Sequence, residues 1–236
     1  MTYPLYILFG VVPSIIWLLF YLRKDTHPES NQMILKIFFY GMLAALPAIL
    51  LEMGVLAEIK ELSIPKNIAL FLNIFIAVAL AEEFMKYLVV KGKVLHDPEF
   101  DEPVDVMLYM IICALGFAAL ENILILFSLG PVFLFGETLS ITVFRFLGAT
   151  FLHALSSGTL GYFLALSFLK TKNRGKFLIL GLGISSLLHG LYNFSIIKIE
   201  GVFSFLVPIL ILIGLASFLT FGFKKLKKLK SICRIQ

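Results

Sequence analysis

Seven runs of mostly apolar residues, joined by short polar connections, constrain this chain more than any other feature: 3–22, 33–56, 68–90, 104–129, 139–169, 177–197 and 202–223. A helix needs about 20 such residues to cross the hydrocarbon of a bilayer. Inside lipid every backbone polar group must be satisfied within the protein, and for runs of this length that means helices. Composition agrees. Of 236 residues 60% are hydrophobic and 15% charged, and the mean hydropathy is +0.98. A water-exposed domain of this length could not hide so much apolar surface. The expected fold is therefore all-α, a polytopic transmembrane bundle of about seven spans forming a single integral membrane domain over 1–236. The first run lacks a basic leader and a small-residue cleavage site and is followed by Arg23 and Lys24, so it reads as a retained helix. The fifth is long and is expected to tilt or to begin along the interface.

The net charge of +5 does not point to nucleic acid. Its basic residues cluster at the ends of the apolar runs, the pattern of topology signals and anionic headgroup contact, and no basic face interleaved with aromatics is visible. With the N-terminus outside, the inner segments carry Arg23, Lys24, Lys36, Lys91, Lys93, Lys170, Lys172, Arg174, Lys176 and the basic tail from Lys224 to Arg234. The outer ones carry only Lys60, Lys66 and Lys198. An N-out, C-in orientation follows. Two cysteines, Cys113 in an apolar run and Cys233 in the tail, form neither a disulfide framework nor a zinc knuckle.

Ionisable residues deep in the runs come next, because each costs roughly 2.5–3.5 kcal/mol at the bilayer centre on insertion scales. The third run carries Glu82, Glu83 and Lys86. Glu82 and Lys86 stand at i and i+4 and can pair, while Glu83, about 100° round the helix, still faces the same side of the bundle. Two carboxylates in a dry site tend to share a proton, giving one acid and one base. The fourth run carries Glu121 and Asn122, the fifth His153, and the sixth His189 and Asn193. Ser157, Gly161 and Ala165 continue the stripe of His153 as a ridge of small residues that permits close helix packing. Arg145, near the outer end of the fifth run, is expected to be an interfacial anchor. At 1.5 Å per residue, Glu82 and His153 lie roughly 21 Å from the outer ends of their runs. His189 is about 18 Å, and Glu121 about 25 Å, from the inner end of its own. All four can meet near the midplane.

Glu82-Glu83-x-x-Lys86, then Phe117-x-x-x-Glu121-Asn122, then His153, then His189-x-x-x-Asn193, in that order on successive spans, resembles the PrsW family of bacterial intramembrane proteases. The likeness covers 68–197, which would hold the catalytic helices. These enzymes make the first cut in membrane-bound anti-sigma factors and are relatives of the CAAX prenyl endopeptidases. The resemblance implies a bacterial plasma-membrane endopeptidase acting in stress-response signalling on a single-span membrane substrate. It further implies that Glu82 or Glu83 activates water and that His189 and Asn193 bind the carbonyl oxygen. Glu121 and His153 complete the catalytic set, and Lys86 and Asn122 support it. Two departures from the CAAX pattern stand out. A lysine sits one position before that pattern's arginine, and Glu121 stands where its second motif has histidine.

Other chemistries fit less well. There is no Gly-x-Ser-x-Gly elbow, neither cysteine has a histidine nearby in sequence, and no H-E-x-x-H occurs, which excludes a conventional zincin. By analogy with the CAAX relatives no cofactor is expected. A Zn²⁺ site built from Glu82 or Glu83 with Glu121, His153 and His189 is the alternative, since carboxylate and imidazole suit that ion. The competing function is an ion- or proton-coupled transporter using the same polar midplane, for which the interruption of the second run by Pro47 and Glu52 speaks. Against it stand the odd number of runs and the absence of a visible inverted repeat.

Overall fold

The apolar runs fold as helices one for one. The computed structural model describes residues 3–24, 27–130 and 135–229, and no strand occurs among them. Seven helical segments are long and apolar enough to cross a membrane: Tyr3–Leu22, Asn31–Glu61, Lys66–Lys93, Pro103–Ser128, Phe135–Leu169, Arg174–Lys198 and Phe203–Leu226. The first, second and fourth are single helices, α1 (Tyr3–Leu22), α2 (Asn31–Glu61) and α5 (Pro103–Ser128). The third is composite: α3 (Lys66–Phe71), a π-helical segment (Leu72–Leu80), then α4 (Ala81–Lys93). The fifth is divided into α6 (Phe135–Leu147) and α7 (Ala149–Leu169), and α8 (Arg174–Lys198) and α9 (Phe203–Leu226) complete the chain.

Local chemistry fixes several boundaries. Ser30 caps α2 by accepting from the Met33 amide at 3.1 Å. Pro103 opens α5 at a position where no amide is needed, and the Asp105 carboxylate reaches back to the amides of Glu102 (2.6 Å) and Asp101 (3.1 Å). Pro47 does not break α2, contrary to its reading as an interruption; the helix passes through it and runs five residues past the apolar stretch, to Glu61. Neighbouring helices let a transmembrane helix tolerate proline.

α5 is the central post. It packs on α1, α2, α4 and α7, and α7 in turn packs on α8 and α9. Glycines bring the backbones together. A Cβ on Gly41 of α2 would fall on the Cys113 carbonyl of α5, and one on Gly116 would fall on the Phe38 carbonyl of α2. On the small ridge of α7, a Cβ at Gly161 would stand 2.6 Å from the Met107 Cα, so the close packing expected of that ridge is present. The radial pattern is that of a protein in lipid. Leu50, Ile179, Phe144 and Val202 lie on the outside, while Glu82, Glu83, Lys86, His153 and His189 are buried. This is a multi-pass membrane protein.

Candidate active site

Glu82 and Glu83 open α4 directly after the π-helical segment. Such segments are uncommon and occur often at functional sites. Nothing in the apolar stretch 72–80 announces one. From the next turn Lys86 points back between the two carboxylates, with Nζ 2.9 Å from Glu83 Oε1 and 3.3 Å from Glu82 Oε2. The expected i, i+4 pair is there, and the lysine also serves Glu83. Among the described residues no hydrogen bond joins the two carboxylates, and both meet on the one ammonium. The same Nζ lies 3.0 Å from His153 Nδ1 and 4.5 Å from the centre of the Phe117 ring.

These contacts fix both imidazoles. A lysine ammonium only donates, so His153 Nδ1 is the unprotonated nitrogen. Its Nε2–H then donates to Glu121 Oε2 at 2.8 Å. His189 Nδ1–H donates to Glu83 Oε1 at 3.0 Å. The inner nitrogens, His153 Nδ1 and His189 Nε2, lie 3.5 and 3.8 Å from Glu82 Oε2. Each histidine therefore has a carboxylate behind it and an inner nitrogen beside Glu82, that of His153 accepting from Lys86 Nζ, and outer carboxylates orient metal-ligating histidines in this way.

The two glutamates of α4 differ in their surroundings. Glu83 has no exposed surface, and besides Lys86 and His189 it accepts from Ser156 Oγ at 3.0 Å and Ser157 Oγ at 2.7 Å. Glu82 is held only through Oε2, and its Oε1 takes no hydrogen bond from another described residue. Glu82, His153 and His189 can each offer a ligand atom such that all three lie within 4.8 Å of one another. Of the two glutamates offered by the sequence, Glu82 is the one beside both imidazoles. The oxygens of Glu83 are engaged by donors, and Glu121 stands behind His153.

Other expectations also change. His189 gives its Nδ1–H to Glu83, so the neutral ring leaves no second N–H to pair with Asn193. Asn193, one turn further along α8, is half-buried and makes no hydrogen bond to another described residue. Asn122 does not touch the cluster. Its Nδ2 donates to Thr150 Oγ1 (3.0 Å) and to the Gly10 carbonyl (3.3 Å), and its Oδ1 accepts from Arg145 Nε. Arg145 is not an interfacial anchor. Its guanidinium turns inward, with Nη2 3.1 Å from Glu121 Oε2. The helix is divided at Gly148, three residues after Arg145. Sequence reasoning missed this, and it read Ser157 only as packing. The spacing of Ser156 and Ser157, three and four residues after His153, was the available signal.

Comparison with known proteins agrees with this assembly. Residues 29–219 match the family model described as PrsW family intramembrane metalloprotease. The chain is 30% identical to a protein named Protease PrsW from Oceanobacillus iheyensis over 207 residues, 86% of this chain and 88% of that one. It is 32% identical to the Protease PrsW of Geobacillus kaustophilus, covering 81% and 79% of the two chains. With that of Bacillus subtilis it shares 29% identity over 96% of both. No solved structure matches the chain significantly.

Proposed function

Because the chain belongs to the PrsW family of intramembrane metalloproteases and is a membrane-embedded peptidase, we propose that it hydrolyses a peptide bond in a single-span membrane protein at the cluster of Glu82, His153 and His189. An anti-sigma factor is the substrate that the motif resemblance implies. The observation that carries the reading is the convergence of two imidazole nitrogens beside one carboxylate, each ring backed by a second carboxylate. A transporter reading is not carried forward, since the family is one of peptidases.

Two imidazoles and a carboxylate are a donor set used by catalytic zinc. Glu82, His153 and His189 would hold such an ion, and the closeness of their ligand atoms supports the fit. When bound, Zn²⁺ would make water more acidic and polarise the scissile carbonyl. The chain's own residues supply the rest. Glu82 Oε1, which accepts no hydrogen bond from another described residue, takes a proton from the attacking water and returns it to the leaving amine. Asn193 donates its side-chain N–H to the carbonyl oxygen as charge develops there. Glu83 and Glu121 keep His189 and His153 in the tautomers whose inner nitrogens carry no proton, and an ion held there would take the place of Lys86 Nζ at His153 Nδ1. Lys86 balances the negative charge in a site that water cannot screen.

The test uses detergent-purified protein and a single-span substrate. Cleavage should stop in Glu82→Gln, stop with a chelator, and return with Zn²⁺ at about one ion per chain. Cleavage that survives chelation in metal-free protein would leave Glu82 as a metal-independent base. Cleavage that survives Glu82→Gln would move the chemistry away from this cluster.

A further inference from the structure

We propose that Arg145 is a positioning residue for the reaction, acting on His153 through Glu121. The proposal rests on the reading of the active site above and extends it to a side chain on α6, the helix that contributes nothing else to the cluster.

Glu121 Oε2 is the meeting point. The same oxygen receives His153 Nε2 at 2.8 Å and stands 3.1 Å from Arg145 Nη2, a distance of ion pairing without hydrogen-bond alignment. The Glu121 side chain is 29% exposed, against 0% for Glu83. Four donors from three helices grip Glu83. Without the guanidinium, Glu121 would keep His153 as its single partner and could swing on its own side-chain torsions. His153 would then lose the constraint that turns Nδ1 toward Glu82.

Arg145 is itself held. Its Nε donates to Asn122, whose amide is pinned by Thr150 Oγ1 on α7 and by the Gly10 carbonyl on α1. That last contact needs a glycine. A Cβ at Gly10 would stand 2.5 Å from Ile123 Cγ1 and 2.9 Å from the Ile123 amide, so any larger residue would push α1 off α5. The socket thus draws on α1, α5, α6 and α7. An arginine serving only as an anchor would extend its head toward water and headgroups. This one, with its side chain 18% exposed, points at a carboxylate inside the bundle.

The test compares Arg145→Gln, Glu121→Gln and the double variant, with kcat and KM determined separately on one single-span substrate. Outer partners of this kind usually carry 10- to 100-fold in activity. Arg145→Gln should lower kcat by a factor in that range and leave KM within about twofold. The double variant should be no worse than Glu121→Gln alone, because the arginine acts only through that carboxylate. Guanidinium ion should restore part of the activity of Arg145→Ala, and the ring ¹⁵N signals of His153 should move in Arg145→Ala and return with guanidinium. Normal kcat in Arg145→Gln beside an impaired Glu121→Gln overturns the proposal and leaves the active-site reading intact. Normal kcat in Glu121→Gln instead undermines the reading of the His153 partner itself. If Arg145→Gln folds poorly, rescue decides: activity lost in step with thermal stability, with no recovery in guanidinium, makes Arg145 a structural residue.

Discussion

A carboxylate with no exposed surface is tolerated in a bundle only when donors occupy its lone pairs, and Glu83 meets that condition with Lys86, His189, Ser156 and Ser157. Removing one donor should therefore be felt in stability before chemistry. Ser157→Ala should cost about 1–3 kcal/mol in thermal unfolding, the usual penalty for an unsatisfied buried group, with kcat lowered only modestly. Lys86→Met leaves Glu82 and Glu83 facing each other with no cation between them. About 3–5 kcal/mol should be lost, the cost of breaking a buried pair from one side, and a variant as stable as wild type would show that the ammonium is not the counter-charge. Asn193→Ala differs, because Asn193 has no hydrogen-bond partner among the described residues to lose. It should leave the unfolding temperature unchanged and reduce turnover a hundred- to a thousand-fold, as loss of one oxyanion donor does. Unaltered turnover would take Asn193 out of the mechanism.

Three elements bring these residues within reach of one another: the π-helical segment before Glu82, the close α2–α5 crossing, and the break at Gly148. The crossing depends on Gly41 and Gly116, whose neighbours across the interface are backbone carbonyls that cannot move aside as a flexible side chain would. Gly116→Val should force the helices apart, cost about 1–3 kcal/mol by overpacking, and lower activity in step with stability. Retained stability would mean that the two helices do not approach so closely. The break at Gly148 leaves α6 a separate helix, and a Cβ there would meet the Tyr192 hydroxyl of α8. None of these elements was legible in the sequence. Hydrophobic periodicity reports which stretches enter lipid, but it is blind to a change of helical pitch within an apolar run. Glycines in membrane helices are frequent enough that no single one declares itself. Pro47 gave the opposite error, a breaker in the sequence that is absorbed in α2.

For the molecule as a whole, the apolar exterior and polar interior leave orientation to the loops, and we propose N-out and C-in from the lysine and arginine placement. Cys233, which lies outside the described residues, should resist an impermeant thiol reagent in intact cells and react once the membrane is opened. Ready labelling from outside would reverse the topology. The sequence by itself determined the class, the number of spans and the four polar stations at Glu82–Lys86, Glu121, His153 and His189. These follow from the energetics of lipid, which punishes each charge separately and so marks every one that is kept. Only the tertiary structure decided how the stations are arranged around one another. Which glutamate faces the imidazole lone pairs, which are spent on hydrogen bonds, and whether Arg145 points out or in all depend on helix rotation and on a break in one helix. Those are set by packing between segments distant in the chain, where one turn of a helix separates an inner group from the partner behind it.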